Sequence, residues 1–186
     1  SKYGQNLSKK VPLMITTDSE WGLNMRLSDA VRFPKNMSLG CINHTYKPNV
    51  PNRRDSLMYE YGLEIGRQCK AMGIAVNFAP VLDINSNPRN PVIGYRSFGD
   101  NITNVASAGL SYASGVEDAG VLAVAKHFHG HGDTDKDSHK TLPCLSHDKE
   151  RMENFEMRPF EESTKAGFGG IMVGHLEVPD TEPTQG

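Results

Sequence analysis

"GVLAVAKHF", residues 120–128, is apolar from Val121 to Ala125 and turns polar only at Lys126 and His127. An uninterrupted apolar run of that length predicts a strand buried on both faces, as in a parallel sheet covered on each side. Three other stretches have the same form. "VPLMITTD" (11–18) ends in Asp18, "GIAVNFAPVLDIN" (73–85) ends in Asp83 and Asn85, and "GGIMVGHLE" (169–177) carries His175 near its end. In each, polar side chains are held back until the C-terminal end.

Helical spacing precedes three of the four. Leu57, Tyr61, Ile65, Cys69 and Met72 fall at four- and three-residue steps before Gly73. Val105, Ala108, Tyr112 and Val116 repeat the pattern over 101–118, closed by Gly120. Over 148–166, Asp148 predicts an N-cap, Pro159 a kink or restart, and Gly167 a stop. Strands alternating with helices, without hairpin signals, predict an α/β fold with a parallel sheet. Such a sheet is either open and doubly wound or closed into an eight-stranded barrel. Both place ligands at strand C-terminal ends. No GxGxxG or P-loop follows any strand, which speaks against a nucleotide site. A complete barrel needs about 250 residues, so on the barrel reading residues 1–186 are an incomplete barrel fragment, truncated at both ends.

The bulk properties narrow the function classes. Hydrophobic content of 37% and charged content of 23% are those of a globular domain. A net charge of −2 gives no electrostatic case for nucleic acid. No apolar run reaches the roughly 18 residues of a membrane span. "SKYGQNLSKK" lacks the apolar stretch of a signal peptide, which leaves the compartment open. Cys41, Cys69 and Cys144 form no CxxC pair and read as buried or half-buried thiols.

"KHFHGHGDTDKDSH" (126–139) holds four histidines, three aspartates and two lysines. From Phe128 to His147 no helix or strand pattern appears, and structureless stretches of that length usually serve a function. Three readings compete: a solvated charged loop, a metal site, or a proton-transfer pair. His127, His129 and His131 alternate as a metal-binding HxHxH would. In extended chain, residues two apart project to the same side, so Asp137 can orient and charge His139, making a general acid/base.

The stretch 126–143, "KHFHGHGDTDKDSHKTLP", closely resembles the KHFPGHGxTxxDSHxxxP signature of glycoside hydrolase family 3, in its β-N-acetylglucosaminidase branch. "DSEWGLNMR" (18–26) resembles the family's DQEGGxVxR element, "IGYRSFG" (93–99) its GxRSFG loop and "IMVGH" (171–175) its MxAH strand. The resemblance covers essentially the whole chain and implies a (β/α)8 barrel of TIM type. It implies His139 as the acid/base and Asp137 as its partner, an exception to the usual two carboxylic acids. It implies Asp18, Arg26, Arg96, Lys126, His127 and His175 as sugar-binding positions. The chain departs from the signature at His129, where the family has proline, and at Trp21, where it has glycine.

The function implied is removal of terminal β-linked N-acetylglucosamine from peptidoglycan fragments by a retaining mechanism. No metal or other cofactor is implied, and the partner is a carbohydrate. Some relatives use phosphate as acceptor. In a bacterium, cytoplasm and periplasm both remain open. The aspartate nucleophile is expected beyond Gly186, so the segment alone is expected to hydrolyse nothing. A non-catalytic sugar-binding domain and a metal-dependent hydrolase using the histidine-rich loop are the competing readings.

Overall fold

The computed structural model describes residues 12–42, 57–134, 144–145 and 147–178. Four strands, β1 (Ile15–Thr17), β2 (Ile74–Asn77), β3 (Leu122–Phe128) and β4 (Gly170–Val173), form one sheet in the order β1-β2-β3-β4. All three pairings are parallel. A doubly wound sheet reverses direction at a switch point, whereas a barrel adds each strand beside the last. The unreversed order therefore selects the (β/α)8 type, of which these are four successive strands.

The helices fall where the spacing predicts. α1 (Asn36–Gly40) is short; α2 (Leu57–Ala71) and α3 (Ile102–Asp118) are the main packing pair. Their axes approach closely because glycines line the contact. A Cβ on Gly62 would fall 2.1 Å from the Tyr112 carbonyl oxygen, so any other residue there would force the helices apart. Asn101 caps α3 by accepting from the Asn104 N–H at 3.0 Å. Asp148 caps the next helix by accepting from Arg151 N–H at 2.7 Å. That segment is α4 (Lys149–Arg151), a π-helical turn (Met152–Glu156), then α5 (Arg158–Ala166), with Pro159 at its start and Gly167 left-handed at its end. Pro159 thus restarts the helix.

The core joins α2 and α3 to the sheet through Met58, Ile65, Val105, Ala108, Tyr112, Val116, Ala123 and Ala125. Three expectations need correction. β1 and β4 are not buried on both faces: Ile15 is 43% exposed and Val173 64%. They are the outer strands, each paired on one side among the described residues. The run 73–85 is not one strand. β2 stops at Asn77, the chain turns through Ala79 and Pro80, and Val81 rejoins the sheet in a bridge to Lys126. Proline has no N–H for a ladder bond, so the pairing must break there. Finally, only Cys69 is buried, while Cys41 and Cys144 are exposed.

Candidate active site

The polar residues at the strand ends meet at one opening, and buried side chains hold them there. Asn77, the last residue of β2, accepts from the Ser19 N–H at 2.9 Å and donates to the Ser19 carbonyl at 3.3 Å. The Tyr112 hydroxyl of α3 donates to that carbonyl at 2.9 Å. Ser19 is thereby fixed by both its backbone groups, and its neighbours Asp18 and Glu20 both reach Lys126 of β3. Lys126 Nζ lies 2.8 Å from Asp18 Oδ1 and 2.8 Å from Glu20 Oε1.

Arg96 closes the set from the far side. Its Nη2 donates to Glu20 Oε1 at 2.7 Å and its Nε to Glu20 Oε2 at 3.0 Å, a two-point grip. Asn36 of α1 donates to the Arg96 carbonyl at 2.8 Å, holding its backbone. Arg26 Nη2 donates to Asp18 Oδ2 at 2.7 Å. Burial alone would raise both carboxyls. For Asp18 it is outweighed by Lys126 and then Arg26; for Glu20, by Arg96 and Lys126. Both sit below the usual carboxylate range and stay ionised.

A second chain of contacts runs from Asp83 into the histidine-rich segment. Asp83 is fully buried. Its Oδ2 is 2.7 Å from His127 Nδ1, and its Oδ1 accepts from the His131 N–H at 2.7 Å. Burial pushes this carboxyl up, but the His127 ring and the His131 N–H more than offset that, so it too stays ionised. A carboxylate can only accept, which assigns the proton of His127 to Nδ1. Its Nε2 then presents a lone pair to Arg96 Nη2, 3.4 Å away. Asn90 donates to the His131 and Gly132 carbonyls at 2.7 and 3.0 Å. A Cβ on Gly132 would meet the Ile84 carbonyl oxygen at 1.6 Å, so only glycine lets this backbone press against the segment after β2.

Three carboxylates, Asp18, Glu20 and Asp83, are matched by three cations, Arg26, Arg96 and Lys126, so the cluster is charge-balanced without an ion. Exposure separates their roles. The Asp18 side chain is 34% exposed, whereas Lys126 and Glu20 are 2% and 1%. Asp18 retains unused lone pairs on both oxygens for incoming hydroxyls. Lys126 and Glu20 lie behind it as a rigid support. The opening therefore offers an anionic acceptor beside guanidinium and imidazole groups, the mixture that reads polyols.

Of the positions expected from the sequence, Asp18, Arg26, Arg96, Lys126 and His127 come together here. His175 is exposed just past β4, beside the end of β3, and no hydrogen bond or ion pair among the described residues joins it to the cluster. Asp137 and His139 lie outside the described residues. Glu20 and Asp83 are central yet were not expected; both end or follow apolar runs, which is the signal that marks them. The alternating histidines do not converge: His127 is held by Asp83, and His131 Nδ1 lies 2.6 Å from Thr134 Oγ1. Trp21 packs on the core, with Lys35 Nζ 3.5 Å from its ring centre and Tyr95 edge-on at 5.7 Å.

Parallel βα units with a polar cluster at the strand ends define a barrel domain of the kind that carries enzyme sites. Residues 2–185 match the model for the glycosyl hydrolase family 3 N-terminal domain, and the chain belongs to that family. It is 42% identical over 178 residues to beta-hexosaminidase A of Pseudoalteromonas piscicida, covering 94% of this chain and 29% of that protein. A family 3 β-N-acetylglucosaminidase structure from Paenibacillus sp. str. FPU-7 superposes with a TM-score of 0.81 at 43% identity, covering 94% of this chain and 32% of that one. NagZ from Neisseria gonorrhoeae superposes with a TM-score of 0.80 at 29% identity, covering 92% and 49%. The chain thus spans less than half the length of each of these relatives.

Proposed function

We propose that the protein is an exo-acting β-N-acetylglucosaminidase that removes terminal N-acetylglucosamine from peptidoglycan fragments. The observation that carries this reading is the half-exposed Asp18 carboxylate held between Lys126 and Arg26 at 2.8 and 2.7 Å, at the strand ends of a family 3 domain. Asp18 accepts sugar hydroxyls, Arg96 and Arg26 donate, and His127 keeps a fixed tautomer beside Arg96. The names of the relatives, beta-hexosaminidase and β-N-acetylglucosaminidase, support the substrate class.

In this reading His139 is the acid/base and Asp137 orients it. A carboxylate from outside residues 1–186 attacks the anomeric carbon while His139 gives its proton to the departing glycosidic oxygen. His139 then takes a proton from water, or accommodates phosphate as acceptor, as the glycosyl-enzyme bond breaks. Two displacements keep the β configuration.

The test is incubation of the intact protein with 4-nitrophenyl β-N-acetylglucosaminide, with the first-formed sugar anomer read by NMR. Turnover giving the β anomer is expected. Binding without turnover means a sugar-binding domain instead, and turnover giving the α anomer contradicts the two-displacement route.

A further inference from the structure

A second polar cluster gathers side chains from two stretches of chain outside the Lys126 site. Asp133, His147 and Glu156 each present a ligand atom, and these atoms lie within 4.8 Å of one another. Glu156 stands at the end of the π-helical turn and is fully buried. Its Oε1 accepts from Arg151 Nη2 at 3.1 Å. Its Oε2 is buried and has no hydrogen-bond partner among the described residues. Gly130 closes over that oxygen, since an added Cβ there would stand 3.2 Å from it. His147 Nε2 is buried without a hydrogen bond as well. It lies 2.9 Å from Asp133 Oδ2, but out of line for a hydrogen bond.

Two buried polar atoms without hydrogen-bond partners, aimed into one space, are costly unless something fills it. The spacing says what fits. Tetrahedral ligands bound at about 2.0–2.1 Å stand roughly 3.3–3.4 Å apart, so three ligand atoms within 4.8 Å of one another close on an ion with small side-chain movements, the 2.9 Å His147–Asp133 pair opening slightly. One imidazole nitrogen and two carboxylate oxygens suit zinc and its first-row neighbours, and three protein ligands leave a position for water. Calcium and magnesium favour all-oxygen shells. Among the described residues Arg151 reaches this space, its Nη2 4.0 Å from Asp133 Oδ2, and the Asp83 carboxylate adds to the negative field at Glu156. Asp133 and Glu156, once ionised, supply two negative charges to an incoming cation against one guanidinium.

We propose that Asp133, His147 and Glu156 bind one divalent ion of the zinc class, which ties together the chain on either side of positions 134–146. Asp137 and His139 fall within that stretch, so the ion would fasten its two flanks. This site is separate from the sugar cluster and does not depend on the glycosidase reading.

The experiment strips the intact protein with chelator and titrates it with zinc chloride by calorimetry. One equivalent is expected, with magnesium chloride giving no comparable heat. Asp133→Asn and His147→Ala are each expected to weaken binding at least tenfold. X-ray absorption at the zinc edge of the unaltered protein should show one imidazole and otherwise oxygen donors, which decides the matter even where a variant does not fold. Absence of uptake, equal binding of magnesium, or affinity unchanged in both folded variants overturns the proposal. So does a spectrum with two or more imidazoles, which places the ion at His127, His129 and His131.

Discussion

Lys126 and Glu20 form a 2.8 Å ion pair in which neither side chain is more than 2% exposed. Charges so far from water are stable only while matched, because their hydration has been given up. Glu20 also anchors Arg96, at 2.7 Å, so one carboxylate holds two cations in place.

Glu20→Ala should therefore leave Arg96 without its carboxylate partner and Lys126 with Asp18 alone. Loss of one partner of a buried pair costs about 3–5 kcal/mol. A fall in urea midpoint at unchanged slope is expected. A midpoint within error of the parent would mean that Glu20 is not the buried anchor described.

Asp18→Asn tests the opposite case. Asp18 is a third exposed, so its loss should affect sugar binding more than folding. Removing a charged acceptor costs about 1.5–3 kcal/mol, or roughly 10–100-fold in affinity. Calorimetric titration with N-acetylglucosamine should show that weakening while the melting temperature moves little. Unchanged affinity would remove Asp18 from the binding set.

Much of this arrangement was legible from the chain. Apolar runs ending in polar residues located β3, Lys126 and His127, and the resemblance to glycoside hydrolase family 3 implied Asp18, Arg26 and Arg96. Glu20 and Asp83 escaped because their significance is long-range. Glu20 meets Arg96 across 76 positions and Asp83 meets His127 across 44, and no local period encodes either contact. His175 stands exposed just past β4, and its place in the sugar site is an expectation of the family resemblance alone. β1 and β4 are exposed because each pairs on one side only among the described residues, which form a four-strand arc and not a closed barrel.

Asp83→Asn should change a tautomer. An amide can donate to His127 Nδ1, moving the ring proton to Nε2, where it would face the Arg96 guanidinium 3.4 Å away. Nitrogen NMR of His127 should report the switch, with kcat/KM falling roughly 10–100-fold, the size of one lost charge-assisted hydrogen bond. Retention of the Nδ1 proton would contradict the assignment.

Glu156 predicts a pH dependence. Burial pushes its carboxyl up to about 7, with Arg151 opposing and Asp133 and Asp83 adding to the rise, against 4.5 in the unfolded chain. The folded state thus holds a proton that the unfolded state releases between these values. The contribution is fully present below about pH 4.5 and is lost as pH rises through about 7. The loss is on the order of 3 kcal/mol. Measured in chelator, unfolding free energy should decline over that window in the parent and less steeply in Glu156→Gln. Parallel curves would show that Glu156 titrates normally.

The central claim, that His139 delivers the proton to the leaving oxygen, is tested most directly by leaving-group dependence in the intact protein. Aryl N-acetylglucosaminides of increasing phenol pKa are compared between the parent and His139→Ala. The account predicts a loss of about 10²–10⁴-fold for poor leaving groups, shrinking for phenols acidic enough to depart unprotonated. An equal loss for every phenol, or no loss at all, would contradict it.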